Sequence, residues 1–126
     1  MKMFSQRERV IERIRDQFGA EPEYLWAKYP NTAAFRHPAG KKWFALVTEA
    51  ARNRLGLDGD RMAAIINVKC DPIVVGSLLS EAGFCPAYHM NKSSWISMLL
   101  DDTLPDGRIL QLVELSYDSV SSIRKN

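Results

Sequence analysis

Pro86-Ala87-Tyr88-His89-Met90-Asn91-Lys92-Ser93-Ser94-Trp95-Ile96 is the segment whose reading decides the fold. Asn91, Lys92, Ser93 and Ser94 are turn-formers or solvated residues, and Trp95-Ile96-Ser97-Met98-Leu99-Leu100 is an apolar run of strand length. The pattern predicts a polar, positively charged loop held at the mouth of a buried or half-buried strand. Such a loop suits contact with an anionic or base-bearing partner, and it is equally the composition of an ordinary solvated hairpin tip.

Upstream of that loop, Asp71-Pro72 opens a helix, with Asp as N-cap and Pro at the first helical position. Val74, Val75, Leu78, Leu79 and Ala82 are expected to carry it to Gly83. Met62 to Lys69 is apolar enough for a central strand. Ala33 to His37 and Trp43 to Thr48 read as strands joined by the turn residues Pro38-Ala39-Gly40-Lys41, so Lys41 and Lys42 fall at or beside a hairpin tip. Arg52 to Asp60 reads as a loop.

At the N-terminus, Ser5-Gln6-Arg7-Glu8 has capping-box spacing. Val10, Ile11, Ile14 and Phe18 then share a helical face, and Gly19 supplies the stop. Arg7, Arg9, Arg13 and Arg15 alternate with Glu8, Glu12 and Asp16 off that face, the pattern of a solvated helix surface. Downstream of Leu100, Thr103-Leu104-Pro105-Asp106 repeats the capping-box spacing and opens a last helix, with Ile109, Leu112, Val113 and Tyr117 on its core side. Ser116 to Ser119 is a candidate break before Val120 and Ile123.

The resulting order, αβββαβα, does not alternate strictly. It predicts an α+β two-layer sandwich: a mainly antiparallel sheet of at least four strands with helices on one face. Trp43, Ile65, Leu78, Trp95 and Leu112 are the expected core, in one domain over residues 1–126.

Composition excludes several classes. Hydrophobic content of 46% and charged content of 25% are globular values. The first residues lack an apolar export signal, and no run approaches the roughly 18 apolar residues of a membrane span. Two cysteines, Cys70 and Cys85, provide no disulfide framework and suit a reducing cytoplasm. The net charge of +2 is divided unevenly: residues 1–56 carry a balance of +5 and residues 57–126 a balance of −3. Such a division allows a positive face without a basic protein.

Catalytic chemistry is poorly supplied. His37 and His89 are the only histidines, and neither has Cys, Asp or Glu at ligand spacing. A nucleophilic Cys–His pair would lack an orienting third residue and an oxyanion signature. There is no Gly-rich phosphate loop. Asp101 and Asp102 with Asp106 are the one candidate for a hard cation, but acids gather at a helix N-terminus in any case. The expectation is a protein that is not an enzyme, with no metal and no cofactor.

Several segments together resemble one family. Tyr88-His89-Met90-Asn91-Lys92 followed by Trp95, then Leu104-Pro105-Asp106 and Ser116-Tyr117, carry the resemblance downstream. Pro22-Glu23-Tyr24, Phe35-Arg36-His37, Lys42-Trp43-Phe44-Ala45-Leu46 and Asn67-Val68-Lys69-Cys70-Asp71-Pro72 carry it upstream. From about Arg7 to about Ile123 the chain resembles the MmcQ/YjbR family of small bacterial proteins. The resemblance implies a frataxin-like (CyaY-like) sandwich and a DNA-binding role with a double-wing surface. Many members have histidine just before the tryptophan; this chain has Ser94, so no role resting on that second imidazole carries over.

Two functional expectations stand side by side. In the first, a cytoplasmic DNA-binding protein of low sequence specificity touches phosphates through Lys41, Lys42, Asn91 and Lys92. Arg36, Tyr88 and His89 add secondary contacts, with Tyr88 able to stack on a base or to cover the core edge. In the second, a protein- or small-ligand-binding module has a groove that includes His89, Asn91 and Lys92.

Overall fold

Ser5 opens the first helix as its spacing predicts. Its hydroxyl accepts from the Glu8 N–H, and the Glu8 carboxylate accepts from the Ser5 N–H at 2.9 Å, so two orphan donors are satisfied reciprocally. This helix, α1 (Gln6–Phe18), buries Val10 and Ile14 completely and ends at Gly19 in the left-handed region, φ +65°. The computed structural model describes residues 4–121, and Ile123 lies outside them.

Five strands follow: β1 (Ala33–Arg36), β2 (Trp43–Ala51), β3 (Met62–Lys69), β4 (Phe84–Pro86) and β5 (Trp95–Leu99). All pair antiparallel, in the order β1-β2-β3-β5-β4. The remaining helices are α2 (Pro72–Leu79) and α3 (Asp106–Ser119). Val10, Ile14, Val75, Leu78, Ile109 and Val113 join the same buried cluster as Phe35, Val47, Ile66, Val68, Ile96 and Met98. All three helices therefore cover one face of the sheet, as the two-layer reading requires.

Several details depart from the sequence reading. β4 has no counterpart in the order αβββαβα; it is a three-residue edge strand ending in Pro86, too short to leave a period and tolerant of proline only because it is an edge. α2 stops at Leu79 rather than running to Gly83, and Val74 and Leu79 are exposed. Gly83 instead makes a tight turn at φ +100°, where a Cβ would lie 2.7 Å from Leu104 Cγ. α3 begins at Asp106 with Pro105 as an N-cap that makes no side-chain bond, so no second capping box forms. It also runs through Ser116 without a break.

Two buried polar residues hold the layers together. Gln6, 1% exposed, donates to the Leu104 carbonyl at 2.7 Å and to Asp106 at 2.8 Å, and accepts from the Asp102 N–H at 2.8 Å. Ser116, fully buried, donates to the Phe44 carbonyl at 2.6 Å and accepts from the Lys69 N–H at 2.9 Å. Since Ala45 pairs with Val68, Phe44 and Lys69 would be the next pair of the β2–β3 ladder. The Ser116 hydroxyl bridges them from α3, which is why the serine is compatible with the helix interior.

The acids considered for a cation are otherwise engaged. Asp106 accepts from Arg9 Nε at 2.9 Å, and Asp102 accepts from Arg9 Nη2. Hydrogen bonding to Arg9, aided by Gln6 and opposed by desolvation, holds the Asp106 carboxyl below its ordinary value. A lowered folded-state pKa stabilises the fold above the unfolded value and is lost as pH falls through the folded one. Stability should therefore decline as pH drops below about 4, and Asp106→Asn should flatten that acid limb in urea midpoints measured between pH 2 and 6.

Candidate functional site on the open sheet face

A bulge decides what faces outward. Phe35 pairs with Ala45 but Arg36 pairs with Trp43, leaving Phe44 as an extra residue in β2. Strict alternation would put Trp43 on the same side as Ala45 and Val47, in the helix-covered core. The extra residue sends Phe44 there instead, fully buried against Phe35, Phe18 and Tyr117. Trp43 turns to the open face. Trp43 and Trp95 are accordingly half-buried rather than core residues, while Ile65, Leu78 and Leu112 are buried as expected.

The open face is partly covered. At one end, the loop after β2 lays Leu55 and Leu57 over Ala50, Ile65, Cys85 and Leu99. Elsewhere a groove of about 230 Å³ stays open. Leu46 and Thr48 of β2 form its floor. Trp26, Tyr29 and Thr32, from the segment before β1, form one wall, and Tyr88, His89 and Met90 form the other. Trp26 meets Trp43 edge-on at 5.5 Å, and Tyr88 stacks on His89 at 3.9 Å with 19° between the rings. Glu49, between Thr48 and Ala50, borders the groove through its backbone; its side chain leaves β2 on the opposite side, with Ala45 and Val47. The Trp43 indole Nε1 is buried and without a partner.

Buried polar pairs fix the second wall. Asn67 and Ser97 sit opposite each other on β3 and β5, both fully buried and hydrogen-bonded to one another. Asn67 Nδ2 donates to the Tyr88 carbonyl at 3.1 Å, and the Tyr88 N–H donates to Ser97 Oγ at 3.0 Å. Both backbone groups of Tyr88 are thus held by the sheet. On the first wall, the Thr32 and Thr48 hydroxyls lie 2.6 Å apart.

The strand register brings the two lysine-bearing loops to one end of the sheet. Ala45 pairs with Val68, Val68 with Ile96, and Ile96 with Pro86, so the β1–β2 tip and the β4–β5 loop project in the same direction. Three strand spacings separate their midlines, about 15 Å. Lys41 and Lys42 are exposed on the first and Lys92 on the second. Each loop holds a non-glycine residue in the left-handed region, Lys41 at φ +64° and His89 at φ +61°.

The other expected site residues have local tasks. Arg36 donates to Glu23 at 3.1 Å and to the Lys41 carbonyl at 3.2 Å, with its guanidinium 5.8 Å from the Trp43 ring centre. Asn91 accepts from the Ser93 N–H at 2.9 Å and hydroxyl at 2.7 Å, which shapes the loop. His37 is buried, accepts from the Ala39 N–H at Nδ1, and lies 4.1 Å from the Tyr117 ring. Cys70 and Cys85 are free, lie in separate clusters and have thiols pushed up by burial. Among the described residues no three His, Cys, Asp or Glu side chains are grouped to hold a metal ion, and no helix is long and apolar enough to cross a membrane.

The excess of basic residues in the first half of the sequence does not make one face. α1 carries Arg7, Arg9 and Arg15, bonded to the Asn31 carbonyl, to Asp102 and Asp106, and to Glu12 and Glu21 respectively. Arg52 and Arg54 lie at the end of the sheet opposite the two tips.

A five-stranded antiparallel sheet, helices on one face and a partly covered groove on the other define an α+β class of small protein, and known proteins share it. A sequence profile of the YjbR family matches residues 15–119, and the chain belongs to that family, MmcQ/YjbR. It is 40% identical over 111 residues to the uncharacterized protein YyaQ of Bacillus subtilis, spanning 88% of this chain and 94% of YyaQ. A crystal structure of a Pseudomonas syringae protein superposes with a TM-score of 0.86 at 36% identity, over 90% of this chain and 97% of that one. Protein DR2400 of Deinococcus radiodurans, at 20% identity and a TM-score of 0.66 over 90% of this chain and 79% of its own, shares the fold.

Of the groove residues, Tyr88 and His89 were legible in sequence. Leu46, Thr48, Thr32 and Met90 were not.

Proposed function

We propose that this protein is a non-enzymatic, cytoplasmic DNA-binding protein, one CyaY-like domain over residues 1–126. It grips the phosphate backbone through Lys41 and Lys42 at one tip and Lys92 at the other. The observation that carries this reading is the common direction of the two tips: exposed lysines on hairpins whose midlines lie about 15 Å apart can meet phosphates of one nucleic acid together. Arg36 and Asn91 shape the tips, and Tyr88 and His89 border them. Phosphate contacts carry no base information, so binding is sequence-tolerant and weak, with Kd in the range of roughly 10⁻⁴–10⁻⁶ M at physiological salt.

The non-enzymatic part is supported by the roles already taken by the nucleophile candidates: both thiols are buried, and His37 packs on Tyr117. A second reading, a small-ligand- or protein-binding module, is favoured by the aromatic groove alone.

The test is a salt series. Lys42→Ala and Lys92→Ala should each weaken binding to a random duplex, alike across sequences, and each reduce the slope of log K against log salt by about one. Arg54→Ala, exposed at the opposite end of the sheet, should leave the slope unchanged. Unaltered slopes in folded Lys42→Ala and Lys92→Ala would sink the phosphate reading and leave the ligand module in first place.

A further inference from the structure

We infer that the open-face groove receives a single unpaired nucleobase, so that the preferred ligand is single-stranded rather than duplex nucleic acid. This rests on the phosphate-binding reading and adds to it a base slot that the lysines alone would not provide.

Shape is the first argument. The groove has opposed aromatic walls, Trp26 and Tyr29 on one side and the Tyr88–His89 stack on the other, over an apolar floor at Leu46. Flat heterocycles stack on such walls, and every base has a face to offer. Its volume of about 230 Å³ is below the roughly 300–1,000 Å³ of drug-sized sites, which suits one base and not a base pair.

Charge is the second argument. The walls and the lysines belong to the same segments: Lys42 directly precedes Trp43, and Lys92 lies two residues beyond Met90. A strand with one base in the groove would therefore run its flanking phosphates toward both tips. That combination of stacking rings and a cationic path is the usual build of a single-strand site. Base pairing would hide the base from the walls, so a duplex could use the lysines but not the groove.

Fluorescence anisotropy with labelled dC10, dT10 and a duplex of mixed sequence, at one salt concentration, tests the inference. Expected is binding to dC10 and to dT10 roughly tenfold tighter than to the duplex, with tryptophan fluorescence quenched by either single strand. Tyr29→Ala removes a ring that is 53% exposed, so folding is preserved; it should weaken dC10 binding roughly tenfold and leave duplex binding unchanged. A duplex bound as tightly as dC10, or Tyr29→Ala weakening both ligands equally, overturns the base slot while the phosphate reading stands. No binding of any of the three removes both proposals.

Discussion

Phe44→Ala is expected to destabilise the protein by about 3–5 kcal/mol, the largest effect of any single truncation considered. Phe44 is fully buried, and its ring meets Tyr117 edge-on at 4.9 Å, Phe18 at 5.7 Å and Phe35 at 6.2 Å. Truncation loses the transfer energy of the ring, leaves a cavity between β1, β2 and the ends of α1 and α3, and breaks three aromatic contacts together. The loss should appear as a fall in the urea midpoint with little change in slope and a drop in Tm on the order of 10 °C or more. Phe44→Leu, which keeps most of the volume, should cost clearly less. Equal losses for the two would mean that the site collapses around any smaller side chain and that packing is not what Phe44 provides.

The consequence reaches the groove. Phe44 is the extra residue of the bulge, and its burial is what holds Trp43 on the open face. Loosening that anchor should also perturb the Trp26–Trp43 contact, visible as altered tryptophan fluorescence in the still-folded variant below its unfolding transition.

Gln6→Ala is expected to cost roughly 2–5 kcal/mol, because it strands the Leu104 carbonyl and the Asp102 N–H as well as removing a buried side chain. Each buried polar group left without a partner costs about 1–3 kcal/mol. Arg9 still bonds Asp106 in the variant, so the loss belongs to the backbone groups. Gln6→Leu separates volume from polarity: it refills much of the space but strands the same two groups, so its midpoint should fall about as far. Recovery of wild-type stability by leucine would show that Gln6 acts as filler only.

What the sequence determined by itself was everything carried by local chemistry. The α1 capping box, the Gly19 stop, the Asp71-Pro72 helix start and the apolar periods of β3, β5 and α3 are short-range signals, and each appears where its residues predict, while β2 starts at Trp43 as read but runs on past Thr48 to Ala51. The two-layer α+β architecture follows from their order. The two loops that carry Lys41, Lys42 and Lys92 were likewise readable as exposed turns.

The tertiary structure alone decided what depends on partners distant in the chain. Gln6 reads as an ordinary polar residue in a first helical turn, yet 98 residues later Leu104 makes it a buried linchpin. Ser116 reads as a helix weakness, yet 72 residues earlier a bulge at Phe44 offers its carbonyl for the hydroxyl to cap. β4 needs β5 beside it to be a strand at all. The bulge itself leaves no trace in a period-2 pattern, since one inserted residue merely shifts the faces. That shift moved Trp43 from the core to the wall of a groove that no local signal foretold.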